Sequence, residues 1–236
     1  MNIRIILPET FQSGAVFSQL MIMLTNACDI VVDNIYLQSD DRRFGIEGNP
    51  FDYIFDQQYD DSYVDIICNR NKSYPKAEEA DNFDNLKYLV SKLRVKHEIT
   101  EEINRLQSYD FAIHIRTGDM NVIHPEYGVF TTADFIQKCR YIVKGPIFVA
   151  SDNHEAIEMM RKDYDVITFP CTIREIDETF TTYGTWIRFA YCYQIWREAM
   201  TDMLCLSRAK ELICRTSNLS NAAILFSNTI NQIHRL

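Results

Sequence analysis

From Phe111 onward, short apolar segments alternate with longer segments in which apolar residues recur at helical spacing. The short segments predict β-strands and the longer ones predict helices. The predicted strands span residues 111–115, 147–150, 166–169 and 211–214, and the predicted helices span residues 132–143, 154–162, 185–206 and 220–228. Strands separated by helices of this length pair in parallel, so the pattern predicts an α/β fold with a parallel sheet covered on both faces. The carboxyl ends of such strands share one edge, where ligands usually bind.

The earlier part of the chain carries a less regular version of this pattern. Strands are predicted at residues 3–7, 35–37 and 64–68, and helices at residues 16–27, 86–93 and 99–106. Residues 39–62 are rich in Asp, Asn, Gly and Gln, and they are predicted to form a loop or a surface insertion. The pattern changes near residues 95–105, which is therefore the predicted boundary between two lobes.

The charge balance argues against a general affinity for polyanions. The chain has 24 Lys and Arg against 33 Asp and Glu, a formal net charge of −9. A basic surface is what nucleic acid and anionic membranes require, so we expect neither as a partner. A diphosphate ligand remains compatible with this charge, provided that one cleft is locally basic.

Cysteine usage and hydropathy predict a soluble, cytoplasmic protein. The 7 cysteines form no CxxC pair, and their odd number and apolar neighbours predict reduced, mostly buried thiols. Cys and His residues do not cluster as a zinc site would require, so no metal is expected. The first residues predict a strand instead of a signal peptide, and no apolar run approaches the roughly 20 residues of a membrane span.

The first candidate site segment is His114-Ile115-Arg116-Thr117-Gly118-Asp119, at the end of a predicted strand. An arginine there can bind a diphosphate through two parallel charge-assisted hydrogen bonds and stabilise a departing nucleotide. Gly118 would let the backbone approach the ligand, and Asp119 would orient Arg116 or ligand hydroxyls. The alternative is a strand-end salt bridge between Arg116 and Asp119 beside a core histidine.

The second segment is residues 148–153, in which a predicted buried strand ends at Ser151-Asp152-Asn153. Asp152 stands where acidic residues of Rossmann folds accept hydrogen bonds from a ribose or base. The alternative is that Asp152 belongs to the N-cap of the following helix, for which Ser-Asp-Asn is favourable.

The third segment joins a helix that contains Glu198 and Asp202 to a strand and a hydroxyl-rich turn, Ser217-Asn218-Leu219-Ser220. A helix that begins in this turn offers amides and a positive dipole end to a phosphate, and the two serines would add hydroxyl donors. The alternative is ordinary capping by Ser or Asn. Glu198 and Asp202, one helical turn apart, are by default a solvated face.

In this order, the three segments resemble the motifs of the fucosyltransferase superfamily, which includes the α1,2- and core α1,6-fucosyltransferases, the rhizobial chitin-oligosaccharide enzymes and the protein O-fucosyltransferases. HIRTGD resembles the family's H-x-R-R-x-D, and FVASDN resembles a strand that closes on Ala-Thr-Asp. DMLCLS followed by LICRTSNLSNAA resembles the Asp-x-x-x-Leu-Ser helix, strand and Ser-x-Phe-Ser-like turn of the third motif. The resemblance covers residues 110–220, and residues 12–27 are similar to the family's N-terminal glycine-rich loop and helix.

The resemblance implies a GT-B-like fold of two Rossmann-type lobes: an acceptor-side lobe over residues 1–104, reduced in size, and a nucleotide-sugar lobe over residues 105–236. It implies an inverting, metal-independent transfer of fucose from GDP-fucose to a glycan hydroxyl. By this resemblance Arg116 binds the β-phosphate and His114 contacts the nucleotide. Asp152 binds the base or ribose, and the 217–220 turn binds phosphate. Glu126 is the implied catalytic carboxylate. By the same resemblance Gly118, Asp119, Asp202 and Asn218 belong to the donor site.

The chain departs from the family at several positions. Thr117 replaces the second arginine of the first motif, and Arg188 or Arg215 are the candidates to replace its phosphate contact. The N-terminal glycine loop is reduced to Gly14. Three alternatives stay open: another nucleotide sugar such as UDP-xylose, a non-catalytic nucleotide- or sugar-binding module, and a metal-dependent transferase. The letters Asp163-Tyr164-Asp165 match a metal-binding D-x-D, but they precede a predicted strand instead of following it.

Overall fold

The computed structural model describes residues 1–8, 16–39, 48–68, 77–117, 129–169 and 192–236. Its strands are Asn2–Leu7 (β1), Asn34–Ser39 (β2), Val64–Ile67 (β3), Phe111–Ile115 (β4), Ile147–Ser151 (β5), Val166–Ile167 (β6), Glu211–Cys214 (β7) and Gln232–Arg235 (β8). Its helices are Val16–Ala27 (α1), Phe83–Val90 (α2), His97–Asn104 (α3), Thr132–Cys139 (α4), His154–Arg161 (α5), Cys192–Leu206 (α6) and Asn218–Phe226 (α7), with short 3₁₀ helices at Pro50–Tyr53 and Ala77–Glu79.

The first sheet has three strands in the order β2-β1-β3, all parallel. Alternate residues of β1 are buried, with Ile3, Ile5 and Leu7 fully inside. They pack toward α1, an apolar helix whose described side chains are mostly buried. Period-2 burial in the strand and nearly continuous burial in the helix identify this face of the sheet as the core face.

Side-chain amides close the outer edge of β2. Gln57 accepts a hydrogen bond from the Leu37 amide at 3.0 Å and donates one to the Leu37 carbonyl at 2.9 Å. Asn49 accepts from the Ser39 amide at 3.2 Å and donates to the Leu37 carbonyl at 2.6 Å. These bonds replace those of a neighbouring strand, so β2 does not present an unpaired edge at Leu37.

The second sheet has five parallel strands in the order β6-β5-β4-β7-β8. On one face, Ile113 and Ile115 of β4 join a buried cluster with α4 and α5. On the other face, Ala112 belongs to a cluster that includes residues of α6 and α7. The predicted α/β fold with parallel sheets covered by helices is confirmed.

The two sheets share one hydrophobic cluster, which runs from β1 and α1 through α7 to β4 and β5. Helix α7 lies at the centre of this junction, because it packs against α1, α2 and α6 and its residues 220–225 are all buried. The predicted division at residues 104 and 105 falls between the two sheets. As a division into separate domains it stays a prediction.

Two sequence predictions about secondary structure are wrong. Phe51 and Phe55 were expected in a surface loop, yet they are 0% and 1% exposed, and the Phe51 ring lies edge-on to Trp196 with centroids 5.5 Å apart. A single 3₁₀ turn is too short to produce a helical period, so no pattern in the sequence indicated this burial. Strand β8 was also missed, since its four residues are mostly polar.

Within the described residues, none of the helices is long and apolar enough to cross a membrane.

Candidate functional site

The predicted site residues of β4, β5 and β7 meet at one edge of the second sheet. Strand register places His114 of β4 opposite Ala150 of β5 and Cys214 of β7, and Cys214 in turn opposite Arg235 of β8. The strands are parallel, so Arg116, Asp152 and Ser217 all follow them at the carboxyl edge. The topology therefore brings together the three segments that sequence reasoning singled out, at the edge where α/β proteins bind ligands.

His114 lies in the interior of this edge. Its side chain is 3% exposed, and its Nδ1 atom lies 3.3 Å from Oγ of Ser217. Burial, together with the smaller effect of the positive charges of Arg116, Arg215 and Arg235, lowers the pKa of His114 to about 3. The imidazole is therefore neutral at physiological pH. Because three guanidinium groups lie close enough to His114 to affect its pKa, this edge is locally basic although the chain is acidic overall.

Ser217 caps α7, the helix with which the third segment ends. It accepts a hydrogen bond from the Ser220 amide at 3.1 Å, while Ser220 Oγ accepts one from the Ser217 amide at 3.2 Å, forming a capping box. Asn218 is the first residue of α7, so the amides of its first turn point toward the sheet edge. Helix N-termini of this kind bind anions through amides and the helix dipole.

Ser220 supports the turn from inside. It is 0% exposed, and its Oγ lies 3.0 Å from the carbonyl oxygens of both Arg215 and Ser217, which share its one hydroxyl hydrogen. The capping alternative considered for these serines is thus what the structure shows. Capping does not exclude anion binding, because the other first-turn amides of α7 still lie at the sheet edge. A direct contact of Ser220 with phosphate stays a prediction.

Arg215, one of the two candidates to replace the arginine missing at position 117, lies beside Arg116. Its guanidinium carbon is 5.3 Å from the ring centroid of Phe130, and its Nη1 donates to the Arg116 carbonyl at 3.5 Å. The side chain is 0% exposed, so it acts on this edge through its charge and through the backbone of Arg116. Of the two candidates, Arg215 is at the site, and Arg188 lies outside the described residues.

The helix after β5 is capped by Asn153, which accepts hydrogen bonds from the amides of Glu155 at 2.8 Å and Ala156 at 3.3 Å. Capping therefore does not require Asp152, the residue for which it was the alternative role. Asp152 is partly exposed and immediately follows the strand, as a ribose- or base-binding carboxylate would.

Asp202 is not part of this cluster. Asp202 and Glu198 are 6% and 8% exposed, so the expectation of a solvated face is wrong for both. The charge of Asp202 acts on Tyr109, which precedes β4 at the amino end of the strand. A strand rises about 3.3 Å per residue, which puts Tyr109 roughly 20 Å from Arg116 along the chain direction. A role for Asp202 in donor binding stays a prediction.

Gly118, Asp119 and Glu126 lie outside the described residues, and with them the proposed Arg116–Asp119 salt bridge. The Asp163-Tyr164-Asp165 sequence lies between α5 and β6, at the amino end of that strand, as predicted for a helix-to-strand connection. Among the residues that the structure describes, no group of His, Cys, Asp and Glu side chains could hold a metal ion.

The sequence did not point to Arg235 and Glu78, an ion pair that packs against the turn between β7 and α7. Arg235 ends β8, and its guanidinium binds the Glu78 carboxylate through two hydrogen bonds of 2.9 and 2.7 Å. The only signal in the sequence was a short Ile-His-Arg run after the last predicted helix. Recognising it as a fifth parallel strand would have placed Arg235 at the same edge.

The structure is that of a two-sheet α/β protein with a basic candidate ligand site at the carboxyl edge of its second sheet. The structure is similar to that of the fucosyltransferase NodZ from Bradyrhizobium, with a TM-score of 0.58 and 14% identity over 96% of this chain and 94% of that one. A NodZ α-1,6-fucosyltransferase co-crystallized with GDP gives a TM-score of 0.53 at 12% identity, covering 96% and 93% of the two chains. The enzyme soaked with GDP-fucose gives 0.54 at 14% identity over the same shares, 96% and 93%.

The sequence matches no protein-family model and no curated protein. The shared fold extends over almost the whole length of both chains, so the predicted GT-B-like architecture is confirmed. The resemblance to the fucosyltransferase superfamily, first seen in three short segments, is confirmed at the level of the fold.

Proposed function

We propose that the chain is an inverting, metal-independent glycosyltransferase that moves fucose from GDP-fucose to a glycan hydroxyl. The observation that carries the proposal is the meeting of Arg116, Asp152 and the Ser217-capped end of α7 at one sheet edge, in the chain order of the family motifs. The similar NodZ structures, one co-crystallized with GDP and one soaked with GDP-fucose, support this choice of donor.

The proposed donor site assigns one ligand group to each element. Arg116 binds the β-phosphate, and the first-turn amides of α7 with Ser217 and Asn218 bind the remaining phosphate oxygens. Asp152 accepts hydrogen bonds from the ribose or the base. His114, held neutral by burial, orients the Ser217 hydroxyl and contacts the nucleotide.

In the proposed reaction, an acceptor hydroxyl oxygen attacks the anomeric carbon from the face opposite the nucleotide. The bond between that carbon and the β-phosphate oxygen breaks, and its electron pair leaves with GDP. The charge that grows on the phosphate is stabilised by Arg116, by the nearby charge of Arg215 and by the helix dipole. The hydroxyl proton passes to a carboxylate, for which Glu126 is the candidate.

The cysteines support a reducing, cytoplasmic location, which is part of the proposal. The five whose side chains the structure describes, Cys28, Cys68, Cys139, Cys205 and Cys214, are all free and buried. Burial raises the pKa of Cys68 and Cys139 to about 12, so these thiols stay protonated and unreactive.

Thermal unfolding with a panel of nucleotides tests the donor. GDP at a hundredfold excess over its dissociation constant adds about 2.7 kcal/mol to the free energy of unfolding. For a chain of this size that raises Tm by roughly 5–10 °C. A response to UDP but not to GDP would replace fucose by another sugar while keeping the transferase class.

Transfer assays test the chemistry. Purified protein with GDP-fucose and a panel of glycan acceptors should release GDP and form an inverted glycosidic bond, and EDTA should leave the rate unchanged. A rate that EDTA abolishes and Mn²⁺ restores contradicts the metal-independent mechanism. Nucleotide binding without transfer to any acceptor, unchanged in Arg116→Ala, favours the non-catalytic module.

A further inference from the structure

The Arg235 guanidinium links the first half of the chain to the ligand-binding turn. Its two hydrogen bonds to Glu78 reach the short 3₁₀ helix Ala77–Glu79, 157 residues earlier in the chain. The side chains of Arg235 and Glu78 are only 15% and 23% exposed, so solvent screens this ion pair weakly.

The same guanidinium touches both ends of the turn between β7 and α7. Nη1 lies 3.2 Å from the Arg215 carbonyl and 3.5 Å from Ser220 Oγ, and Nη2 donates to Asn221 Oδ1 at 3.2 Å. Asn221 Oδ1 also accepts the Ala77 amide at 3.4 Å. The turn is thus held on its inner side by one cation and by the helix that carries its counter-ion.

We propose that Arg235 and Glu78 are positioning residues, which set the geometry of the 215–220 turn and thereby the affinity for the diphosphate of the donor. The inference rests on the proposed function, because it takes the turn to be the phosphate site. In this proposal neither residue contacts the ligand: Arg235 binds the Arg215 carbonyl and Ser220 Oγ and acts through both.

The physical reason is that amides bind phosphate well only when they converge on it. Ser220 Oγ is hydrogen-bonded to the carbonyls within the turn, and Arg235 contacts the same Ser220 Oγ and the Arg215 carbonyl. The conformation of the turn therefore depends on Arg235 as well as on Ser220. Removing the charge of Glu78 leaves Arg235 without its counter-ion, and the guanidinium must then shift toward water. The carbonyl of Arg215 and the first turn of α7 lose a fixed partner with it.

Isothermal titration with GDP measures the effect directly, at a temperature well below Tm for every variant. Glu78→Gln and Arg235→Gln should each weaken GDP binding by about tenfold, a typical size for coupling between a site and its supporting residues. Glu78→Gln keeps the shape of the side chain, so it tests the inference even if Arg235→Gln does not fold.

The ion pair between Glu102 of α3 and Arg197 of α6 is the matched control. It also joins the two halves of the chain, its Arg197 Nη2 lies 2.6 Å from Glu102 Oε1, and its side chains are 24% and 34% exposed. It does not touch the turn. Arg197→Gln should lower Tm, as a merely structural ion pair would, and leave the dissociation constant for GDP within twofold of wild type.

The outcomes separate the two proposals. If wild type binds GDP and Glu78→Gln binds it within twofold of wild type, the positioning role is overturned and the proposed function stands. If Glu78→Gln binds GDP more tightly than wild type, Arg235 released from Glu78 binds the ligand directly, and the inference is again overturned. If wild type binds no nucleoside diphosphate at all, both proposals fail.

Discussion

The Nδ1 atom of His114 lies 3.3 Å from Oγ of Ser217, across 103 residues of sequence. His114 is the next-to-last residue of the central strand of the second sheet, and Ser217 caps the helix that follows the neighbouring strand. The contact fixes the capping serine from the sheet side, while Ser220 fixes it from the helix side. The site is therefore organised by a neutral imidazole as well as by its arginines.

Replacing His114 should change how stability depends on pH. The pKa of His114 is about 3 in the native state against about 6.5 in an unfolded chain, so between these values the unfolded state binds one more proton. The contribution of neutral His114 is complete above about pH 6.5 and is lost as pH falls toward 3. Denaturant unfolding of His114→Asn should show a shallower loss of stability between pH 6 and 5, by on the order of 1 kcal/mol per pH unit. Equal slopes in the two proteins would mean that His114 is not held neutral.

Replacing Arg116 should remove transfer without unfolding the protein. Arg116 is partly exposed at the end of β4, so Arg116→Ala opens no buried cavity. Loss of a charged group that stabilises the leaving phosphate should lower kcat/KM by about 10²–10³-fold. Arg140→Ala, at an exposed position after α4, is the control and should leave kcat/KM unchanged. Near-normal turnover in Arg116→Ala would contradict the assigned site.

Asp152 and Asn153 should separate ligand binding from helix capping. Asn153→Ala removes the cap of α5 and should cost about 1 kcal/mol of stability with little effect on nucleotide affinity. Asp152→Asn should do the reverse, since it leaves the cap intact and removes the carboxylate offered to the ribose or base. Chemical denaturation and GDP titration of both variants test this. The assignment fails if Asp152→Asn matches wild type in affinity for GDP.

Ser217→Ala should affect both properties at once. The loss of the cap should cost about 1 kcal/mol, and the loss of the hydroxyl at the phosphate end of α7 should weaken GDP binding. Thr131→Ala provides the comparison, because Thr131 forms a similar capping box with Asp134 on α4, which packs on the opposite face of the sheet. Its cost in stability should be similar, with GDP affinity unchanged. Equal GDP affinity in both variants would argue against a phosphate at α7.

The parts of the fold that follow from hydrophobic period were predicted well. The observed bounds of α1, β4 and β7 equal the predicted ones, because each of these segments has an unbroken apolar pattern. The convergence of His114, Arg116 and Asp152 on one edge also follows from the sequence, since parallel strands align their carboxyl ends.

What the sequence could not supply were contacts that depend on tertiary packing. The spacing of Glu198 and Asp202 is the same in a solvated and in a buried helix face, so their burial required the packing of α6 on the sheet. The pairing of Arg235 with Glu78 joins two segments that carry no shared pattern. The contact of Arg215 with the Arg116 carbonyl likewise depends on the packing of β7 beside β4, and its role as the second arginine stays a prediction.

Helix α7 begins at the proposed phosphate site and packs against α1, α2 and α6. The helix that would bind phosphate therefore also holds the two sheets together. A phosphate bound at its first turn would oppose any opening that separates α7 from the first sheet. Amide hydrogens in α1 and α2, which pack against α7, should then exchange with solvent more slowly when nucleotide is bound. Nucleotide binding to the second half of the chain would then be measurable as slower amide exchange in the first half.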